Sequence, residues 1–146
     1  MLSSEEILLE CQKLADEMII RYFPINGLAD PNHLPTEYED STPIVIAKQY
    51  WFSLCRLWGE IFPDNSAPVG CVVDRENDLF EIRSKYSAKL QGLRDKALTI
   101  TFKEWINRTN HEDVELYLDL LKQYTRELLE IEIRDFMEDI SVSENQ

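Results

Sequence analysis

The sequence is poor in glycine and histidine, and this scarcity argues against several classes of site. Four glycines in 146 residues are too few for the glycine-rich loops that bind phosphates, and they disfavour a turn-rich all-β fold. The two histidines, His33 and His111, lack the spacing of zinc ligands, and no G-x-S-x-G, H-E-x-x-H or P-loop motif occurs. We therefore expect that the protein is not an enzyme. A helical enzyme is the least favoured of three functional alternatives.

Cysteine is also scarce. Cys11, Cys55 and Cys71 are odd in number and show no C-x-x-C spacing. The first six residues are acidic and lack the basic start of a secretory signal. These features together predict free thiols in a reducing, cytoplasmic compartment.

Basic residues are outnumbered by acidic ones. The chain has 15 Lys and Arg against 28 Asp and Glu, for a net charge of −13. This charge disfavours nucleic acid and anionic membranes as partners, and it permits basic proteins or metal cations. The apolar stretch Pro43–Phe62 is not predicted to span a membrane, because Lys48, Arg56 and Glu60 would each cost about 2.5–3.5 kcal/mol near the bilayer centre.

The same stretch is predicted to be the central helix of the fold. Thr42 is a suitable N-cap, and Pro43 is tolerated at the first helical position. At about 100° per residue the polar residues form one narrow stripe, so other elements must cover the remaining surface. The residues assigned to that surface are Ile44, Val45, Ala47, Tyr50, Trp51, Phe52, Leu54, Cys55, Leu57, Trp58, Ile61 and Phe62. Those expected in the core are Trp51, Leu54, Cys55 and Trp58.

Three further long helices and one short helix complete the predicted fold. Ser3 and Glu6 have the spacing of a capping box, which begins the first helix at Ser4. Apolar residues that recur every three or four positions predict the later helices. The predicted ranges are 4–22, 43–62, from 74–78 to 97, and 111–140 for the long helices, and 102–108 for the short one. We therefore expect an all-α, single-domain helical bundle over residues 1–140, followed by a disordered polar tail at 141–146.

A long acidic loop, Pro24–Thr42, is predicted between the first two helices. It contains three prolines and neither lysine nor arginine. Its closely spaced oxygen-bearing side chains are typical of ligands for a hard cation such as Ca²⁺, although their spacing is not that of an EF-hand. The candidate metal ligands are Asp30, Asn32, Glu37, Glu39 and Asp40. A Ca²⁺-binding protein with an irregular site is therefore the second functional alternative. The other interpretation of this loop is a surface connection whose carboxylates are solvated. No other cofactor is expected.

The last predicted helix has two apolar stripes. The stripe of its C-terminal half is rotated by about a third of a turn from the first, and acidic residues flank it. Because one straight helix cannot press both stripes on the same neighbour, the second stripe either binds another molecule or packs inside the monomer. The residues predicted to bind a partner are Glu127, Leu129, Glu130, Ile133, Phe136 and Ile140.

Charge is also segregated along the chain. Residues 83–108 contain seven bases and two acids, whereas residues 111–140 contain ten acids and three bases. The two segments either pair with each other or leave charged faces for another molecule. Nucleic acid is not expected as a partner, because the rest of the chain is strongly acidic. We expect a cytoplasmic interaction protein, regulatory or immunity-like, that engages a basic protein partner or associates with itself through the last helix.

Overall fold

Four α-helices form the structure, a computed structural model that describes residues 2–23, 42–65, 76–97 and 112–144. The helices are α1 (Ser4–Tyr22), α2 (Thr42–Ile61), α3 (Glu76–Ala97) and α4 (Glu112–Glu144). No strand occurs in these four ranges. The all-α bundle of four main helices predicted from the sequence is therefore confirmed. The predicted short helix at 102–108 and all but the last residue of the acidic loop lie outside the described residues.

The start of α1 is set by the capping box that the sequence predicts. The backbone N–H of Glu6 donates a 3.2 Å hydrogen bond to the Ser3 hydroxyl, and the backbone N–H of Ser3 donates one of 3.3 Å to the Glu6 carboxylate. Each bond satisfies a backbone donor that helical hydrogen bonding leaves free. Both the start and the end of α1 match the prediction, and local capping chemistry is enough to define the start.

The bundle is organised around α4, which contacts each of the other three helices. Its 33 residues extend for about 50 Å, and its two apolar stripes meet different neighbours. Tyr124 of the first stripe stacks on Tyr86 of α3 with ring centroids 5.0 Å apart. Phe136 of the second stripe lies edge-on to Trp58 of α2 at 6.0 Å. The prediction that α2 is the central helix is therefore wrong, because an apolar circumference does not reveal which helix has the most neighbours.

The surface of α2 is less completely covered than its composition suggests. Trp51 and Cys55, which were expected in the core, are only half-buried. Val45 and Phe52 are 49% and 61% exposed. The reason is angular: at about 100° per residue, both fall on the polar stripe that contains Arg56. The residues of α2 that do reach the core are Pro43, Ile46, Ala47, Tyr50, Leu54, Leu57 and Trp58.

The C-terminal end of α4 also differs from the prediction. The helix continues to Glu144, so residues 141–144 are helical although the sequence assigns them to a disordered tail. Ile140 is the last buried residue, and Ser141 and Val142 are exposed. Adding a residue to an existing helix is far easier than starting one, so helical hydrogen bonding propagates a turn beyond the last core contact.

Candidate functional site

A concave groove lies between α1 and the C-terminal half of α4. Its volume is about 830 Å³. The floor is apolar, and α1 and α4 contribute three side chains each: Leu8, Ala15, Ile19, Leu129, Ile133 and Met137. Ile19 and Leu129 are each 1% exposed and close the bottom, whereas Leu8, Ile133 and Met137 are half-buried and line the open sides. The groove therefore presents apolar side chains to whatever enters it.

Charged side chains surround this floor. Arg126 of α4 lies 3.3 Å from the carboxylate of Asp16 on α1, and this ion pair joins the helices near the middle of α4. Both side chains are largely exposed, so the pair contributes only ~0–1 kcal/mol. Glu130 and Glu138 are exposed along the α4 side, together with Arg134, whose Nε lies 3.5 Å from Asp135.

The two helices that form the groove carry most of the excess negative charge. Helix α1 has five acidic and two basic residues, and α4 has eleven acidic and three basic residues. By contrast, α2 has one acidic and two basic residues, and α3 has four acidic and five basic residues. At the groove itself the excess is smaller, because three acidic side chains (Asp16, Glu130 and Glu138) line it together with two basic ones (Arg126 and Arg134). The local charge is therefore weakly negative, and the wider field of α1 and α4 favours cationic groups.

The partner-binding residues predicted from the sequence are divided between this groove and the core. Leu129, Glu130 and Ile133 line the groove. Phe136 and Ile140 are each 1% exposed and belong to the hydrophobic core. The alternative in which the second stripe packs inside the monomer therefore describes Phe136 and Ile140, and only one edge of the stripe is open between α1 and α4.

The sixth predicted residue, Glu127, pairs with α3. The Lys85 ammonium donates a 2.6 Å hydrogen bond to its carboxylate, which raises the pKa of Lys85. The same ammonium lies 5.4 Å from the ring centroid of Tyr86. The basic and acidic segments of the sequence therefore pair within the monomer at this point.

A buried polar cluster lies where α1, α2 and α4 meet. The Tyr50 hydroxyl donates a 2.7 Å hydrogen bond to the Cys11 carbonyl. Burial raises the pKa of the Cys11 thiol to about 12, and the charge of Glu10 adds to the shift. Glu132, 2% exposed, adds to the rise that burial causes in the pKa values of Tyr50 and Cys55. Because both thiols stay protonated near neutral pH, neither is an activated nucleophile.

Sequence reasoning missed two parts of this arrangement, although each left a signal. Glu132 is one of the acidic residues beside the second stripe, yet it follows Leu128 and precedes Phe136 at intervals of four, which puts it on the inward face. The α1 side of the groove was not identified. Leu8, Ala15 and Ile19 recur at intervals of seven and four, which places them together on α1 beside its core face. Leu9 and Ile20 are 64% and 60% exposed and do not line the groove.

The structure does not describe the candidate metal ligands of the acidic loop. Asp30, Asn32, Glu37, Glu39 and Asp40 all lie outside the described residues. Within the described ranges, no group of three or more histidine, cysteine, aspartate and glutamate side chains is arranged to hold a metal ion. The Ca²⁺ site of the loop stays a prediction.

Comparisons with known proteins give no family for this chain. No protein-family model matches it, and neither the curated proteins nor the solved structures yield a match. Among the helices of the described ranges, none combines enough length and hydrophobicity to cross a lipid bilayer. The groove and its charges are therefore the features from which a function is inferred.

Proposed function

We propose that this chain is a non-enzymatic interaction protein whose groove between α1 and α4 binds a basic amphipathic helix of a partner protein. The observation that carries the proposal is an apolar floor, formed by residues such as Ile19 and Leu129, between two strongly acidic helices. Grooves of this kind between helices are a common docking mode for amphipathic helices.

The dimensions of the groove suit one helix. Its lining residues on α4 run from Arg126 to Ser141, which corresponds to about 22 Å of helix. A third helix packed on two others lies about 8–10 Å from each axis. A helix of about four turns, with apolar residues at intervals of three and four, would place its anchors over Ile133 and Met137 and bury their exposed portions.

The acidic surroundings decide which helix binds. An occupant with Lys and Arg on its outer positions would approach Glu130 and Glu138 on one side and the exposed acids of α1 on the other. Such complementarity accelerates encounter and rejects acidic competitors more than it increases affinity. Added salt should therefore weaken the complex by screening.

The compartment forms part of the same proposal. Cys11 and Cys55 carry free thiols, which suits a reducing environment. We place the protein in the cytoplasm for that reason.

A synthetic peptide tests the proposal. The probe is a 16-residue helix of leucine and lysine, about 24 Å long, with leucines on one face, and the control is a scrambled peptide of equal charge. We expect the amphipathic peptide to bind by fluorescence anisotropy, and the Ile133→Glu variant to bind it at least about tenfold more weakly. The matched variant Leu116→Glu changes an exposed residue of α4 outside the groove and should bind normally. Equal binding of both peptides, or equal binding to both variants, would contradict the proposal.

A further inference from the structure

A second exposed surface has the chemistry that the groove selects. Val45, Lys48, Phe52 and Arg56 lie within about 80° of one another on α2, and all four are exposed. We call these residues the α2 ridge. Phe52 is 61% exposed, which is unusual for a large aromatic side chain on a helix that otherwise supplies the core. Val45 lies about 20° from Phe52 around the helix axis, so the two form one small apolar patch with charged residues beside it, and contiguous patches with polar rims mark interaction sites.

The charge of the α2 ridge is opposite to the small acidic excess of the groove, where Asp16, Glu130 and Glu138 outnumber the two arginines by one. No acidic residue occurs between positions 45 and 56, whereas Lys48 and Arg56 flank Phe52 at intervals of four. The α2 ridge is therefore a basic, partly apolar helix face in a chain whose net charge is −13. It spans about 16 Å of helix, which fits within the 22 Å of the groove.

These two surfaces lead to one proposal, which rests on the proposed function of the groove. We infer that the groove between α1 and α4 binds the α2 ridge of a second copy of this chain. Phe52 enters the apolar floor near Ile133 and Met137, while Lys48 and Arg56 approach the acidic residues at its edges. The proposal thus identifies the basic amphipathic helix as part of the protein itself.

The geometry makes this association head-to-tail. The α2 ridge and the groove are different surfaces of one monomer, so each copy that donates its ridge keeps an open groove, and its partner keeps a free ridge. Such a heterologous contact builds rings or open chains of copies and does not close as a two-fold dimer. Repulsion between copies of net charge −13 opposes the local attraction, so association should be weak. It should therefore be detected only at high protein concentration.

Two complementary variants test the inference. Phe52→Glu removes the ridge and keeps the groove, and Ile133→Glu removes the groove and keeps the ridge. Sedimentation of the unchanged chain over a wide concentration range should show species larger than a dimer. Each variant alone should be monomeric. An equal mixture of the two should form dimers only, because one intact ridge and one intact groove remain.

The controls separate a failed interface from a failed fold. Circular dichroism should show the same helicity in all variants, and Leu116→Glu should associate like the unchanged chain. If Ile133→Glu loses helicity, the double variant Glu130→Lys, Glu138→Lys replaces it, since both residues are exposed. An unchanged chain that is monomeric throughout, single variants that still associate, or a mixture that stays monomeric would each overturn the inference. Retention of leucine–lysine peptide binding in those cases would leave the proposed function of the groove intact.

Discussion

The hydroxyl of Tyr50 on α2 donates a 2.7 Å hydrogen bond to the main-chain carbonyl oxygen of Cys11 on α1. Both residues are fully buried, so water does not compete for this bond. The contact fixes how far α1 is displaced along α2. Because Leu8, Gln12 and Ala15 of the groove lie within one turn of Cys11, the same bond helps to position one wall of the groove.

Removing that hydrogen bond should destabilise the protein moderately. Tyr50→Phe keeps the ring in the core and deletes only the donor, so we expect the free energy of unfolding to fall by about 0.5–1.5 kcal/mol. Urea denaturation measures the change, and the slope of the transition should stay the same because the buried area is unchanged. A loss too small to detect would show that the Tyr50 hydroxyl does not help to hold α1 on α2.

The assignment of Phe136 to the core predicts a large effect of truncation. Phe136→Ala removes a ring that is 1% exposed and lies against Trp58, so we expect a loss of about 3–5 kcal/mol in unfolding free energy. The matched variant Phe80→Ala changes a residue of α3 that is 70% exposed, and it should shift stability by less than about 0.5 kcal/mol. Similar losses for the two variants would contradict the burial pattern of α4.

These contrasts show what the sequence can and cannot predict. The start of α1 follows from Ser3 and Glu6, because capping depends on residues close in sequence. The position of Phe136 does not, since periodicity defines an apolar stripe without naming the helix that covers it. Phe52 is a different case, because periodicity alone places it on the polar stripe that contains Arg56. The groove needs the relative placement of α1, which ends at Tyr22, and α4, which begins 90 residues later at Glu112, and no local pattern specifies that placement.

The pKa of Cys11 predicts that the protein becomes less stable at alkaline pH. Burial raises this pKa from about 9 to about 12, so both states hold the thiol proton below pH 9. Above pH 9 the unfolded chain releases the proton while the folded chain keeps it. Stability should therefore fall as pH rises from 9 towards 12, with a slope of at most about 1.4 kcal/mol per pH unit from this group.

Urea denaturation between pH 8.5 and pH 10 is the appropriate measurement. Most tyrosines and lysines titrate near or above pH 10, so they contribute little to the change in stability over this interval. The Cys11→Ala variant should be less stable overall because it leaves a small cavity, but its stability should decline less steeply over this interval. The pKa of Tyr50 is also raised by burial, and its contribution enters only above about pH 10. Parallel declines for the two proteins would show that the thiol is not the group responsible.

Two helical glycines predict simple gains in stability. Gly59 of α2 and Gly92 of α3 are exposed, and a Cβ atom added at either position meets no atom within 4 Å. Glycine within a helix costs about 0.5–1 kcal/mol relative to alanine, because the unfolded chain loses more backbone freedom on folding. Each change to alanine should therefore raise the free energy of unfolding.

Gly92 lies five residues before the end of α3, whereas Gly59 lies two before the end of α2, where fraying reduces the effect. We expect Gly92→Ala to give the larger gain in urea denaturation, and a loss of stability in either variant would show that its glycine is required by a contact on that face.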